Sequence, residues 1–428
     1  MNSTLPAKDP RFAAWMAIGG VLRRHLPMDE ALDSDGLDER DRAFARRLAA
    51  TLFRRLGQID AMIDQCLERP LPDKAARVHD LLRLGVVQLI FLDIPAHAAV
   101  DTSVALARQH GFNAHVKLVN AVLRRLALTG PSLAASQDAA RLNSPDWLWE
   151  SWCDTYGEAD CRALAAQHLK EPPLDLSVKQ EPAAWAAPLE AEILPTGSLR
   201  RAAGVSITNL PGYEDGAWWV QDAAAAIPAR LLRARPGQQI ADLGAAPGGK
   251  TAQLAASGAE VTAVDRSEKR LLRLSANLQR LNLTAKVVTA DAANWHPEQL
   301  FDGLLLDAPC SATGTLRRHP DAAWLKRPQD IVKLAALQDR LLAAAAALLR
   351  PGGLLIYCTC SLQPEEGPWR IDPLLANGAP FRRVPIQPEE LGGLDQLITA
   401  AGDLRSLPCH LAEKGGMDGF YAARLEKL

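Results

Sequence analysis

Between residues 44 and 128 the apolar positions recur every three or four residues and never alternate, which is the period of helices. Ile59, Met62, Ile63, Cys66 and Leu67 share one face of a helix over residues 58–67, and Val78, Leu81, Leu82, Val86, Leu89 and Ile90 share one face of the next. Pro70, Pro72 and Pro95 punctuate these helices, and Thr129-Gly130-Pro131-Ser132 is expected to end the run. Residues 1–135 therefore read as an all-α domain.

The texture then changes. Residues 136–215 give a helix over 147–168, a strand over 174–179 behind Pro172-Pro173, and a stretch rich in Pro, Ala and Gly, which reads as a small α+β subdomain. From Val220 onward helices and strands alternate: helix 222–233, strand 239–243, helix 250–256, strand 261–264, helix 268–281, strands 286–289 and 303–306, helix 329–349 and strand 354–358. Such alternation builds a mostly parallel sheet covered by helices on both faces, an α/β doubly wound, Rossmann-like fold over residues 216–428. Its ligands bind at the carboxyl ends of the strands.

Composition changes this picture little. The 428 residues hold 48% hydrophobic and 23% charged side chains, which excludes a disordered or coiled-coil chain. The longest strictly apolar run, residues 341–349, is about half a membrane span, and residues 1–6 lack the basic and apolar regions of an export signal. A cytoplasmic protein that does not contact a membrane is the expectation, with its seven scattered cysteines reduced. The net charge of −2 argues against a uniformly basic nucleic-acid binder, yet Lys and Arg exceed Asp and Glu by three over residues 1–130. The pairs Arg23-Arg24, Arg46-Arg47, Arg54-Arg55 and Arg124-Arg125 edge the helical domain; solvated helix faces are the plainer reading of each, RNA contacts the other.

Gly244-Ala245-Ala246-Pro247-Gly248-Gly249-Lys250-Thr251 fits the phosphate-cradling pattern of P-loop NTPases, and Leu304-Leu305-Leu306-Asp307 resembles the strand that carries their magnesium-binding aspartate. Three acids oppose that reading. Asp242 sits just before the loop, where its charge would face the phosphates. Asp265 ends the next strand 23 residues later, where doubly wound folds hold a ribose diol, and Asp291 follows the strand after that. Each alone could be a helix cap or turn residue. Together they suit a cationic nucleoside with free hydroxyls and an amine, as S-adenosylmethionine is, and suit a triphosphate poorly.

Two further loops carry thiols. Asp307-Ala308-Pro309-Cys310-Ser311-Ala312-Thr313-Gly314 follows one strand, and Thr359-Cys360-Ser361-Leu362 follows another, both at the carboxyl edge. Cys310 and Cys360 are expected to converge there, with Cys358 a structural thiol on its strand. A zinc set from Cys310, Cys358, Cys360, Cys409 and His410 is disfavoured, because no C-x-x-C pair is present; no metal is expected. Nucleophilic chemistry is better supported: a pyrimidine carbon 5 attacks a sulfonium methyl only after a thiolate has added at carbon 6.

These motifs, with Arg318-His319-Pro320-Asp321, Pro364-Glu365-Glu366 and Asp418-Gly419-Phe420-Tyr421, resemble those of the bacterial RNA 5-methylcytosine methyltransferases that act on small-subunit ribosomal RNA and carry a NusB-like N-terminal domain. The resemblance spans nearly the whole chain. It implies that Gly244, Ala245, Ala246, Pro247, Gly248, Gly249, Lys250, Asp265, Asp291 and Asp307 bind S-adenosylmethionine. It further implies that Cys360 is the nucleophile, that Cys310 assists release of the methylated RNA, and that Asp307 hydrogen-bonds the base. Residues 1–135 would be the NusB-like RNA-binding domain and 136–215 a small insert like an RNA-recognition motif. Many relatives carry Cys in place of Gly244, a change expected to leave backbone contacts alone. A monomer acting on small-subunit ribosomal RNA is the expectation. The competing readings are a P-loop NTPase and a non-catalytic RNA-binding assembly factor.

Overall fold

The computed structural model describes residues 9–428; the reading of residues 1–6 lies outside the described residues. The chain divides into a helical unit, up to Lys170 plus Leu316–Lys326, and an α/β unit, Glu171–Thr315 plus Arg327–Leu428.

In the helical unit the main helices are Pro10–Arg24, Glu39–Arg54, Leu56–Asp64, Ala76–Val86, Ala96–Gln109, Val116–Ser136 and Asp146–His168. The faces read from the sequence point inward: Ile59, Met62, Ile63, Val78, Leu81 and Leu82 join Trp15, Ile18, Leu48 and Leu52 in one core. The helical run does not stop at Thr129. Val116–Ser136 continues through Pro131, because Val122, Leu123 and Leu126 before it and Leu133 and Ala134 after it pack on the same core. That burial outweighs the roughly 3 kcal/mol an interior proline costs.

The helical unit also reaches beyond the expected boundary at 135, to Lys170. The reason is local packing. Asp146–His168, broken at Gly157, buries Leu148, Trp152 and Leu164, Gln58 and Asn143 exchange two hydrogen bonds of 3.1 and 2.9 Å, and Arg55 donates to the Leu169 carbonyl. His168 ends this helix fully buried; burial, then Arg317 and Arg54, push its imidazole down to about 3, so it is neutral. The segment Leu316–Lys326 is held by Asp321, which accepts from the Met28 amide at 2.8 Å, by Trp324, whose indole donates to the Phe53 carbonyl, and by Arg54, which donates to the Arg317 carbonyl. Of the arginine pairs, Arg23 is tied to Asp80 and Arg46 to Asp29, while Arg24, Arg47, Arg124 and Arg125 are exposed.

The α/β unit begins with a small antiparallel sheet of β1 (Leu174–Val178), β2 (Glu192–Ile193), β3 (Leu199–Arg201) and β4 (Trp218–Val220), in the order β2-β3-β1-β4. A five-residue helix follows β1, which gives a shortened split β-α-β unit. One face of this sheet buries Leu176, Leu199 and Trp218. On the other, Arg200 and Asp175 form a buried ion pair at 2.7 Å; Arg200 also donates to the Gly416 carbonyl, and Asp175 accepts from the Ala223 amide. The centre of the sheet is thus covered on both faces, while Ile193 and Val220 stay exposed.

The large sheet has the order β10 (Phe381–Arg383), β12 (Phe420–Lys427), β9 (Leu349–Thr359), β8 (Phe301–Asp307), β5 (Gln239–Leu243), β6 (Glu260–Asp265), β7 (Lys286–Thr289). Strands β5, β6, β7, β8 and β9 run parallel. The chain leaves β5 toward β6 and β7, then returns to lay β8 and β9 on the other side. The reversal opens a crevice at the carboxyl end of β5. Beyond Cys358 the sequence showed no strands, yet β10 (Phe381–Arg383), β11 (Leu404–Ser406) and β12 (Phe420–Lys427) add antiparallel. Two of them have only three residues, too short for periodicity to register.

Candidate active site

The glycine loop joins β5 to the helix Gly249–Ala256. In a phosphate cradle its amides would point outward. Here Gly244 and Ala245 both donate to the Val264 carbonyl, Ala246 donates to the Asp265 carboxylate at 3.2 Å, and Gly248 donates to the Ala245 carbonyl. Pro247 has no amide to give.

The side chains are engaged as well. The Thr251 hydroxyl donates to Asp242 at 2.6 Å, and the Lys250 ammonium is paired with Asp307 at 2.8 Å beneath the Phe420 ring. Burial works against the Lys250 charge, but Asp307 and the nearby thiols of Cys358 and Cys360 raise its pKa. Asp242 does not face a ligand. It is fully buried, and desolvation pushes its carboxyl up to about 7 despite the Thr251 hydrogen bond.

A cleft of about 910 Å³, open mouth included, lies against the loop. Of the loop residues only Gly244 lines it; Ala245, Ala246, Gly248 and Lys250 are buried behind, Gly249 is half-buried away from the wall, and Pro247 is exposed. Asp265, Asp291, Asp307, Cys310 and Cys360 all line it. Asp265 also accepts from the Ser267 amide, and Asp291 from the Ala293 amide and the Asn294 side chain. Gly244 has φ +79°, and a Cβ there would stand 2.3 Å from the Asp307 carbonyl. A cysteine at this position is therefore strained in this chain.

The two cysteine loops meet. Cys310 and Cys360 bring their sulfurs to 3.4 Å, although 50 residues separate them. The Cys310 thiol is raised well above its ordinary value, first by its hydrogen bond to Cys360, then by burial and by the charges of Cys360 and Glu366. Cys358 is buried behind them, its thiol raised by desolvation and by Asp307, toward which it points at 3.7 Å. Gly314 locks the first loop: its amide donates to the Cys360 carbonyl and its carbonyl accepts from Gly419, so close that a Cβ would lie 2.0 Å from the Gly419 oxygen.

Sequence reasoning assigned no role to Arg270, which pairs with Asp265 at 3.4 Å on the rim, nor to Glu366, which gathers hydrogen bonds from both cysteine loops. Glu366 stood in a quoted motif, but only its contacts show what it holds. His410 accepts from the Leu407 amide through Nδ1, and among the described residues no three His, Cys, Asp or Glu side chains gather as a metal set.

Comparison with known proteins agrees with this geometry. Residues 229–426 match the 16S rRNA methyltransferase RsmB/F family, and residues 9–128 match the NusB family. The ribosomal RNA small subunit methyltransferase B of Shewanella oneidensis is 36% identical, over 97% of this chain and 99% of its own length. A probable ribosomal RNA small subunit methyltransferase B of Synechocystis is 35% identical, again over 97% and 99%. The solved structure of a methyltransferase homolog protein from Pyrococcus horikoshii is 26% identical, with a TM-score of 0.56 over 68% of this chain and 98% of that one. With a NusB-type helical domain, an alternating α/β domain and near-complete coverage of these relatives, the chain belongs to the ribosomal RNA small subunit methyltransferase B family, whose members are S-adenosylmethionine-dependent RNA methyltransferases.

Proposed function

We propose that the protein methylates carbon 5 of a cytosine in small-subunit ribosomal RNA, with Cys360 as nucleophile, Cys310 as the thiol that assists release and Asp307 as the group that holds the base. The observation that carries this reading is the 3.4 Å approach of the two thiols on the wall of a cleft whose other residues include Asp265, Asp291 and Asp307.

S-adenosylmethionine supplies an electrophilic methyl on a sulfonium, and three carboxylates in one cleft fit a cation that also carries a diol and an amine. Addition of the Cys360 sulfur to carbon 6 of cytosine gives carbon 5 the electron density a methyl electrophile needs. Asp307, fixed by Lys250, accepts hydrogen bonds from the cytosine edge. After methylation the carbon 5 proton passes to solvent in the open cleft, which restores the ring and frees the Cys360 sulfur as a thiolate. Cys310, raised and so protonated at neutral pH, suits a proton carrier beside that leaving sulfur better than it suits an attacking thiolate. The target base must leave its stack to reach the thiols.

The helical unit up to Lys170 is proposed as the RNA-binding unit and residues 216–428 as the catalytic domain, with the short sheet that begins at Leu174 joined to the latter. The protein is taken to act as a monomer in the cytoplasm. Mapping 5-methylcytosine in small-subunit ribosomal RNA from cells with and without the protein tests the reading; one position losing its methyl group on deletion supports it, and an unchanged map overturns it. Equilibrium binding separates the nucleoside-triphosphatase alternative: with the Gly244, Ala245, Ala246 and Gly248 amides and the Lys250 and Thr251 side chains engaged internally, S-adenosylmethionine is expected to bind and ATP with magnesium is not.

A further inference from the structure

Glu366 is fully buried, yet the chemistry above does not use it. Its carboxylate accepts from the Ser311 amide at 3.0 Å, from the Ser361 hydroxyl at 2.6 Å, from the Gln338 amide at 3.2 Å and from the Ser311 hydroxyl. Ser311 directly follows Cys310, and Ser361 directly follows Cys360. One side chain therefore holds the residue next to each thiol. Its own backbone is fixed in turn, since the hydroxyls of Tyr357 and Thr359 both donate to the Glu366 carbonyl.

A carboxylate is an acceptor with two oxygens and no donor, so it can gather donors from two loops at once, which a hydroxyl or an amide cannot do as fully. Burying one is costly, and replacing it together with its polar partners by well-packed apolar side chains would often stabilise the fold as well or better. A buried acid at this position is accordingly poorly explained by stability. It is well explained by the need to hold two sulfurs, carried by separate loops, at a fixed separation.

Resting on the reading of Cys360 and Cys310 above, we propose that Glu366 is a positioning residue for the reaction: it ties the two cysteine loops together through Ser311 and Ser361 and so sets the separation at which the two thiols act on one base. Gln338 extends the same network into the helix Pro328–Leu348 and to the Pro309 carbonyl beside Cys310.

The test is steady-state methylation of unmodified small-subunit ribosomal RNA with radiolabelled S-adenosylmethionine, using Glu366→Gln and Ser361→Ala. Glu366→Gln replaces one acceptor oxygen with a donor aimed at other donors. It is expected to lower kcat about 100-fold, the scale of a 1 Å misplacement, with both KM values little changed, while the melting temperature falls by a few degrees because buried donors are left facing a donor. Ser361→Ala removes the Ser361 link to Glu366, with the hydroxyl's contacts to Ser311, Thr313 and the Gln363 amide, and leaves Ser311 bound to Glu366; it is expected to lower kcat about tenfold. In a Cys310→Ala background, Glu366→Gln should also slow formation of the covalent RNA–protein species. A folded Glu366→Gln protein with unchanged kcat overturns the proposal. If that variant does not fold, Ser361→Ala decides, and full activity there overturns it equally. Wild-type enzyme that formed no 5-methylcytosine would instead refute the functional reading on which the proposal rests.

Discussion

The loop after β5 and the paired loops after β8 and β9 sit at the same sheet edge and are built in opposite ways. The glycine loop closes on itself through backbone: its amides go to Val264, Asp265 and Ala245, and its two polar side chains are sealed in pairs with Asp242 and Asp307. The cysteine loops are joined largely through side chains, with Ser311, Ser361 and Thr313 clustered around one carboxylate. A motif read from sequence registers residue types; the function of a loop depends on where its hydrogen bonds end. The first loop carries a nucleoside-triphosphate pattern whose lysine and threonine side chains are already paired with acids of the sheet. The second carries two cysteines whose distance is controlled from elsewhere.

The contrast can be broken most strongly at Cys360. Cys360→Ala should lower methylation by on the order of 10⁴-fold or more, as removal of a covalent nucleophile does, while titration calorimetry finds S-adenosylmethionine binding unchanged. Weaker binding would mean that the two loops are not separable.

Next in size is a pH effect from the glycine-loop side. The Asp242 carboxyl is raised from 3.8 to about 7 in the folded protein, so the folded state holds a proton that the unfolded chain has lost. This contribution is complete below pH 4 and is lost as pH rises toward 7, by up to about 1.4 kcal/mol per pH unit. Urea unfolding at pH 5 and pH 7 should show that slope, and Asp242→Asn should remove most of it.

The smallest effect is expected at Gly244. Gly244→Cys meets the Asp307 carbonyl at a positive φ and should cost about 1–2 kcal/mol in urea unfolding. No loss would show that the β5–β8 approach relaxes freely.

Much of this was legible beforehand. The alternation from Val220 gave the parallel strands within two residues at most ends, since buried β-branched and leucine runs between helices leave a clear pattern. Cys310 and Cys360 could be placed together because both follow parallel strands of one sheet. What stayed hidden depends on contacts without a period. Pro131 inside a helix is permitted by packing on both sides of it. The helix Asp146–His168 joins the helical unit through Gln58, Asn143 and Arg55, none of which announces a partner. Of the glycine loop, Gly244 lines the cleft, while the amides of Ala245, Ala246 and Gly248 complete bonds to β6 and to their own turn, an arrangement the motif does not spell out. Glu366 looked like one acid in an acidic turn; its five-residue distance from Ser361 and 55-residue distance from Ser311 meet only in the fold.

The central claim is that two thiols from two loops divide one reaction, Cys360 adding to the base and Cys310 letting it go. The most direct measurement is a denaturing gel of Cys310→Ala incubated with small-subunit ribosomal RNA and S-adenosylmethionine. The account predicts a covalent RNA–protein band that disappears in the double variant Cys310→Ala/Cys360→Ala. A band trapped by Cys360→Ala, with Cys310→Ala turning over normally, would contradict it.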